Sequence, residues 1–263
     1  MAHLLERYGP WALVAGASEG IGEAFARALA GEGFHLVLIA RRAAVLESLA
    51  RELRDATGVQ VECVRLDLAA SDLAPRFDEL ARDRDIGLVV YNAALSIRAP
   101  FLETSLEDHQ RMLEVNARGP LTAAHVFGRR LAARGGGGII LLSSLTAFWG
   151  SAWLATYGAT KAFNLSLGEA LAHELGERGV DVLVSCAGAT TTPGFNRATA
   201  GRRPPAAMTP DAVARESLAA LANRGAFVPG RLNRFLQQLL TRALPREIAI
   251  RMMASHTKRL LAP

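Results

Sequence analysis

The sequence predicts an α/β protein in which helices cover both faces of a doubly wound parallel sheet. Short apolar runs that are typical of strands alternate with segments whose apolar residues recur at helical spacing. Several of the runs are uninterrupted, as expected for strands that are buried on both faces. The chain has 263 residues, half of them hydrophobic, which suits one large domain with a sizeable core.

The predicted elements follow this alternation in chain order. Strands are expected at 11–15, 34–40, 59–66, 86–91, from residue 139 after a glycine loop at 135–138, at 180–186 and at 226–230. Helices are expected after the first glycine-rich turn, at 45–53, around Phe77, at 106–133 and around Tyr157. Gly119 and Pro120 predict a bend in the long helix region. Polar residues collect directly after the strands, where ligands bind in such sheets.

A glycine-rich turn follows the first predicted strand and opens a helix. Gly16, Gly20 and Gly22 have the spacing G-x-x-x-G-x-G, with Ser18 and Ile21 between them. Glycines let the backbone approach a phosphate closely, and a helix N-terminus presents free N–H groups to that anion. This context predicts a Rossmann-like dinucleotide site, although a glycine-rich turn without a ligand remains the alternative.

Two arginines follow the second predicted strand. Arg41 and Arg42 stand near the position where an NAD-binding fold usually has a carboxylate for the ribose 2′-hydroxyl. Guanidinium groups suit a 2′-phosphate instead, so the pair favours NADP(H) over NAD(H). A solvated pair at the start of the next helix is the alternative, and Glu19 in the glycine turn weakens the argument for a phosphate.

Tyr157 and Lys161 are four residues apart on a predicted helix and share one of its faces. An ammonium beside a phenol favours the phenolate and is expected to lower the tyrosine pKa from about 10. Ser144 follows the strand that begins at residue 139 and could hold a substrate oxygen that the tyrosine protonates. A chance pair on an amphipathic helix is the alternative.

Taken together, these motifs resemble the short-chain dehydrogenase/reductase family over about residues 5–195. The glycine turn matches the cofactor motif of that family in place and spacing. Ser144 precedes Tyr157 by thirteen residues and Lys161 follows it by four, as the catalytic motif of the family requires. Asn116 falls where the family has a fourth catalytic residue. Departures such as Ala15 and Ala187 affect the loops and remove no reacting group.

The resemblance implies a role for each matched residue. Tyr157 would be the general acid in reduction and the base in oxidation, and Lys161 would lower its pKa and bond the nicotinamide ribose. Ser144 would polarise the carbonyl, and Asn116 would hold a water that relays protons. Further cofactor contacts are implied for the residues that follow the strands: Asp67, Leu68, Asn92, Ala93, Gly188, Thr190 and Thr192.

The C-terminal third departs most from the family. Residues 231–263 are expected to form a basic helical extension to a catalytic domain at 1–230, with an apolar stripe that includes Leu232, Leu236 and Leu240. Such a stripe either packs on the domain or a partner subunit, or rests on an anionic membrane surface. Relatives with extensions often act on lipid-like, steroid or acyl substrates. Pocket candidates are Leu95, Ile97, Phe101, Leu145, Phe148, Trp149, Trp153 and Phe195.

Composition argues against several other classes. The net charge of +5 is concentrated after residue 223, where eight basic residues face one acid, and no basic patch is interleaved with aromatics, so nucleic acid is not an expected partner. Two cysteines without a C-x-x-C or His/Cys cluster predict free thiols in a reducing compartment and no metal. The N-terminal sequence does not predict a secretory leader. Serines, threonines and glycines interrupt the uncharged run at 135–160, which argues against a membrane span.

These expectations lead to one functional hypothesis and two alternatives. We expect an enzyme that transfers a hydride between NADP(H) and a hydrophobic ketone, aldehyde or secondary alcohol. An NAD-dependent alcohol dehydrogenase and a catalytically silent nucleotide-binding regulator are the alternatives. We also expect a homodimer or homotetramer in the cytoplasm, with peripheral membrane contact through the C-terminal helices as a further option.

Overall fold

Seven parallel strands form one sheet in the computed structural model, which describes residues 3–261. They lie in the order β3-β2-β1-β4-β5-β6-β7, and every neighbouring pair is parallel. The strands are β1 (Trp11–Ala15), β2 (His35–Ala40), β3 (Val61–Arg65), β4 (Ile86–Tyr91), β5 (Gly137–Ser144), β6 (Val180–Ala187) and β7 (Gly225–Phe227). The predicted doubly wound sheet is confirmed.

Helices cover both faces of this sheet. They are α1 (His3–Tyr8), α2 (Gly20–Gly31), α3 (Ala43–Thr57), α4 (Leu73–Leu80), α5 (Leu106–Leu113), α6 (Gly119–Arg134), α7 (Ala155–Glu174), α8 (Pro193–Ala198), α9 (Pro210–Ala220), α10 (Arg231–Arg242) and α11 (Arg246–Leu261). Of these, α1, α8 and α9 were not predicted; α1 and α8 have only six residues each, too few to show a helical apolar pattern.

Alternating strand residues supply two hydrophobic layers. In β2, Leu36 and Leu38 join the layer under α2, α3 and α9, whereas Val37 and Ile39 join the layer under α4 and α6. All four side chains are fully buried. Full burial of such a side chain stabilises the fold by about 1.5–3 kcal/mol. Burial on both faces is therefore why the strands read as continuous apolar runs.

The strand order reverses direction between β1 and β4, which are hydrogen-bonded neighbours at the centre of the sheet. At such a point the connections after the two strands leave toward opposite faces and a crevice opens between them. The glycine-rich turn follows β1 and Asn92 follows β4, so both stand at the rim of this crevice. The fold thereby gathers segments that are distant in the chain.

The long helix region is interrupted by a π-helical turn at Glu114–Arg118, between α5 and α6. The predicted bend at Gly119 and Pro120 therefore begins five residues early. Pro120 has no N–H to donate to the carbonyl of Asn116, four residues before it. That carbonyl accepts a hydrogen bond from the side chain of Asn164 instead, at 2.9 Å. The proline thus contributes to the irregularity without being its centre.

Two strand boundaries differ from the prediction. β5 begins at Gly137, inside the expected glycine loop, because Gly137 and Gly138 pair through their backbones with Val180 and Asp181 of β6. β7 ends at Phe227 rather than at residue 230. Pro229 has no N–H for a strand ladder, and the chain then turns into α10 at Gly230, whose φ is +84°.

The predicted C-terminal helices are present as α10 and α11. Arg246 of α11 donates to the carbonyl of Phe148 at 3.2 Å, and Arg202 donates to the carbonyl of Arg259 at 3.2 Å. These bonds tie the extension to the rest of the protein. The division at residue 230 stays a prediction, and residues 1, 2, 262 and 263 of its two parts lie outside the described residues.

Candidate active site

A cavity of about 960 Å³ opens beyond the carboxyl ends of the strands. Its wall begins with the glycine-rich turn after β1 and continues across the residues that follow β2, β4, β5 and β6. Helices α10 and α11 complete the wall on the other side with Leu232, Leu236, Leu240, Met252 and Met253. The cavity therefore joins a polar half near the glycines to an apolar half under the C-terminal helices.

The glycine-rich turn leaves space where side chains would close it. Gly16 has a φ of +86° and Gly20 a φ of +64°, conformations that L side chains rarely adopt. A Cβ on Gly22 would lie 2.1 Å from the carbonyl oxygen of Gly16 and 2.6 Å from the amide nitrogen of Asn92. The Asn92 amide donates to that same carbonyl at 2.9 Å and holds the turn in place. The turn thus leaves its backbone open at the N-terminus of α2, which is the arrangement that suits a pyrophosphate.

The two arginines after β2 have different surroundings. Arg42 donates to the hydroxyl of Ser18 and forms an ion pair with Glu19, both at 2.9 Å. Arg41 is exposed and lines the cavity. Asp67 lies between Arg41 and Arg111. Burial opposes its ionisation, but the Ala69 N–H and the two guanidinium groups hold its pKa below the ordinary value. The rim beside Arg41 therefore carries an ionised carboxylate as well as guanidinium groups.

Tyr157 stands on α7 and reaches the cavity together with Ser144 at the end of β5. Burial raises the pKa of the phenol, while a hydrogen bond with Ser144 and the charge of Arg98 act in the opposite direction. The lowered pKa expected from the sequence is therefore wrong, because burial outweighs the neighbouring groups. Tyr157 is a neutral phenol at neutral pH, which is the form that can donate a proton.

Lys161 lies one turn further along α7 and is only 2% exposed. Its Nζ donates to the carbonyl of Leu142 at 2.7 Å and lies 5.6 Å from the centre of the Tyr157 ring. Burial lowers the pKa of this amine to about 8. A larger fraction of this amine is therefore neutral near pH 7 than is the case for an exposed lysine.

Asn116 is fully buried in the π-helical turn. Its side chain accepts from the N–H of Leu95 at 2.7 Å and donates to the carbonyl of Leu95 at 2.8 Å. Its amide also donates to the hydroxyl of Thr160, at 3.2 Å. Asn116 does not line the cavity, so in this structure it fixes the segment around Leu95, which does.

The short chain dehydrogenase family model matches residues 10–203, which is most of the chain and includes every motif described above. The chain belongs to this family. Membership makes the protein a nucleotide-dependent oxidoreductase that acts on CH–OH and C=O groups of small molecules.

This short-chain dehydrogenase is similar to curated proteins and to proteins of known structure. A 7beta-hydroxysteroid dehydrogenase from Clostridium sardiniense is 32% identical over 231 residues, which cover 87% of this chain and 88% of the relative. A solved 7beta-hydroxysteroid dehydrogenase has a TM-score of 0.89 at 32% identity and covers 95% of this chain and 98% of its own. A short-chain dehydrogenase from Sphingobium yanoikuyae, solved in complex with NADPH, has a TM-score of 0.78 at 31% identity, with coverage of 89% and 96%.

The fold brings most of the predicted site residues of this dehydrogenase to one cavity. The residues that line it are Gly16, Ser18, Gly20, Ile21, Arg41, Arg42, Asp67, Leu68, Asn92, Ala93, Leu95, Ser144, Leu145, Trp149, Tyr157, Lys161, Gly188, Thr190, Thr192 and Phe195. Gly22 lies beneath the turn and Asn116 behind Leu95. Their roles, like those of the lining residues, stay predictions.

Four pocket candidates do not line the cavity: Ile97, Phe101, Phe148 and Trp153. Phe148 instead packs against Trp149, with 5.6 Å between the ring centres. Trp153 has a φ of +65° and uses its carbonyl to accept from the N–H of Ala99. Phe101 is exposed and stacks on His109. These side chains support the wall or the surface rather than the interior of the pocket.

Sequence reasoning missed Arg98, which lies between the predicted pocket residues and reaches the cavity beside Tyr157. It also missed the contribution of Thr257 from α11 and of residues 204–206 before α9. Neither the spacing of Arg98 nor its neighbours mark it as a site residue. The arginine belongs to the site only because the segment after β4 folds back toward α7.

Proposed function

We propose that this short-chain dehydrogenase is an NADPH-dependent reductase of a bulky, hydrophobic ketone or aldehyde, and that it oxidises the corresponding secondary alcohol in the reverse direction. The observation that carries the proposal is the placement of Tyr157 and Ser144 together in the wall of a half-apolar cavity. Similarity to two hydroxysteroid dehydrogenases supports a large alicyclic substrate. The leucines and methionines of α10 and α11 provide a surface that suits such a substrate.

The residues of this chain divide the work on the substrate oxygen. Ser144 donates to the carbonyl oxygen and orients it toward Tyr157, which donates its proton as that oxygen becomes an alkoxide. When bound, the reduced nicotinamide supplies the hydride that the carbonyl carbon accepts. In its ammonium form, Lys161 stabilises the phenolate that remains on Tyr157. General acid catalysis of this kind contributes about 10²–10⁴-fold to the rate.

Asn116 has a positioning role in this proposal. Its side chain is used by Leu95 and Thr160, and its carbonyl oxygen by Asn164. It therefore fixes the segment around Leu95, and the water-holding role that the resemblance implies would fall to its carbonyl oxygen, which already accepts from Asn164.

Substitution of Tyr157 tests the proposed reduction. Tyr157→Phe should lower the turnover of a hydrophobic ketone by at least about a hundredfold and leave NADPH binding within a factor of about two. Tyr8→Phe is the matched control, because Tyr8 also loses a buried hydroxyl but lies with Asp181 near the amino-terminal end of β6 and does not line the cavity. Retained turnover in the Tyr157 variant would remove the proton-donor role.

Preference for the 2′-phosphate is the second part of the proposal. Arg41 and Arg42 support NADP(H), as does the NADPH complex of the Sphingobium relative, whereas Glu19 competes for Arg42. We expect NADPH to bind more tightly than NADH, and Arg41→Ala to reduce that preference on the order of tenfold. Glu19→Gln should increase it, because Arg42 is then free for the phosphate.

An exposed arginine of α3, the helix that begins directly after Arg42, provides the control for that test. Arg51→Ala removes an equal charge from α3 without changing the cavity wall, so the NADPH preference should not change. Fluorescence titration with both nucleotides measures each constant. A wild-type protein that binds NADH more tightly would show that the two arginines have another role.

Assembly and location stay predictions. A homodimer or homotetramer is proposed, and sedimentation velocity checks it. On α10, Phe235 and Leu239 are exposed and do not line the cavity, which supports either a subunit contact or peripheral contact with a membrane surface. No helix within residues 3–261 is long and apolar enough to cross a membrane. Cosedimentation with anionic vesicles tests the membrane contact, and a cytoplasmic location is the expectation.

A further inference from the structure

Arg98 is a charged group inside the cavity that the proposed chemistry does not use. Its Nη1 atom has no exposed surface to water and no hydrogen-bond partner among the described residues. Most buried charges in proteins are paired, because an unpaired one retains the cost of losing its water. Arg98 as a whole is half-buried, so the observation concerns this one buried N–H donor. A buried donor without a partner at the wall of a cavity indicates that its partner arrives from the cavity.

The protein holds this side chain in a defined position. Leu95 is fixed by two hydrogen bonds to Asn116, and the N–H of Ala99 donates to the carbonyl of Trp153 at 3.2 Å. The chain is thus fastened on both sides of Arg98. The guanidinium carbon then lies 5.7 Å from the centre of the Phe195 ring. This cation–π contact orients the group without providing a hydrogen-bond acceptor.

The carboxylates of the cavity wall are already engaged elsewhere. Glu19 pairs with Arg42 and Arg197, and Asp67 pairs with Arg111. Arg98 instead lies near enough to Tyr157 for its charge to favour the phenolate, and burial lowers the pKa of Arg98 itself. The free guanidinium is therefore on the side of the cavity where the carbonyl of a substrate would be reduced.

We propose that Arg98 binds a carboxylate of the substrate, so that the protein selects hydrophobic oxo-acids or hydroxy-acids over neutral ketones. This inference rests on the proposed function and narrows its substrate class. A guanidinium can donate two parallel hydrogen bonds to the two oxygens of a carboxylate, and this ion pair is stronger where water is excluded. The apolar residues of α10 and α11 surround the rest of such a molecule, whereas Arg98 sets the distance between its charged end and Tyr157.

The experiment compares each acid with its methyl ester. Phenyl ketones with a carboxylate two, three or four methylene groups from the carbonyl, and an oxosteroid with a side-chain carboxylate, cover a range of distances. Calorimetric titration of the protein loaded with NADP⁺ measures binding without turnover. At least one acid should bind the wild-type protein on the order of tenfold to a hundredfold more tightly than its ester. Arg98→Met should remove that preference, and Arg98→Lys should keep part of it.

Two controls separate this role from others. Arg215→Met removes an exposed charge of α9 that is outside the cavity wall, and the acid-to-ester ratio should not change. If Arg98→Met weakens acid and ester equally, or weakens NADP⁺ itself, Arg98 acts on the fold, Tyr157 or the nucleotide, and the proposal is overturned. An acid that binds no better than its ester in the wild-type protein overturns it as well.

Failure of the reductase proposal gives a different result. In that event the acids still bind in preference to the esters, and Arg98→Met still removes the preference, but no ketone is reduced. Where turnover is observed, Arg98→Met should raise the KM of the acids by a larger factor than the KM of the esters. Because the charge of Arg98 also favours the Tyr157 phenolate, any shift of the pH profile should be the same for acid and ester. An equal rise in the two KM values would assign Arg98 to Tyr157 rather than to the substrate.

Discussion

Replacing Lys161 by methionine should change how the stability of the protein depends on pH. Methionine keeps most of the length and apolar contact of the lysine stem but cannot carry a charge. In the wild-type protein the amine is 2% exposed, and burial lowers its pKa to about 8 from an ordinary value of 10.5. The folded protein thus releases this proton at a lower pH than the unfolded chain does.

The sign and the size of the effect follow from that difference. Between about pH 8 and 10.5 the unfolded chain holds more protons than the folded one, so this lysine makes the free energy of unfolding rise with pH. Each pH unit above 8 contributes about 1.4 kcal/mol until the unfolded lysine also titrates. From pH 7 to about pH 9.5, the wild-type protein should therefore gain about 2 kcal/mol relative to Lys161→Met.

Reversible urea unfolding of both proteins at each pH, followed by tryptophan fluorescence, measures this difference. Burial raises the pKa of Cys63 to about 11 and of Cys186 to about 12, and these thiols act in the opposite direction in both proteins. Subtraction of the two curves therefore cancels Cys63 and leaves Lys161 together with its coupling to Cys186, whose pKa the charge of Lys161 lowers. Lys258→Met, at an exposed position of α11, is the control and should give a flat difference. An equally flat curve for Lys161→Met would refute the argument that burial depresses this pKa.

Three further substitutions each test the contacts of one residue. Gly22→Ala places a Cβ 2.1 Å from a backbone oxygen and should abolish nucleotide binding or lower the free energy of unfolding by about 1–3 kcal/mol. Gly31→Ala, whose Cβ would have nothing within 4 Å, should change neither quantity. Nucleotide titration and urea unfolding measure the two effects. Asp181→Ala leaves two arginines and a tyrosine without their buried partner and should lower the free energy of unfolding by about 3–5 kcal/mol, unlike exposed Asp55→Ala. Asn116→Ala should lower it by about 1–3 kcal/mol and reduce turnover with little change in nucleotide binding, since Leu95 loses both of its bonds. A stable and fully active Asn116 variant would argue against its positioning role.

Local patterns in the sequence were enough to predict the sheet and the polar half of the cavity. β1 and β4 begin and end where their apolar runs do, and the glycine spacing places Gly16 and Gly20 in a turn that requires positive φ. These features are local, because each depends on residues that are neighbours in the chain. The start of β5 was missed, because glycines paired in a strand rely on the backbone of β6 and leave no apolar signal.

The apolar half of the cavity could not be predicted in the same way. The apolar stripe of α10 indicates a buried face, but not that Leu236 and Leu240 face a cavity. In the sequence, Arg98 looks like an ordinary surface charge. It reaches the cavity because Asn116 and Trp153 hold the segment after β4 by hydrogen bonds. The pKa of Tyr157 was predicted in the wrong direction for a related reason, since the cost of burial depends on neighbours from several elements.

The placement of α10 and α11 separates two tasks along the chain. Ser144 and Tyr157 stand on the sheet and on α7, whereas α10 and α11 contribute Leu232, Leu236, Leu240, Met252 and Met253 to the apolar half of the cavity. If the proposed function is right, exchange of that terminal segment between homologous enzymes would alter which molecules are accepted while Ser144 and Tyr157 stay the same. Chimaeras joined after β7 therefore offer a direct way to change substrate selectivity while Ser144 and Tyr157 are kept.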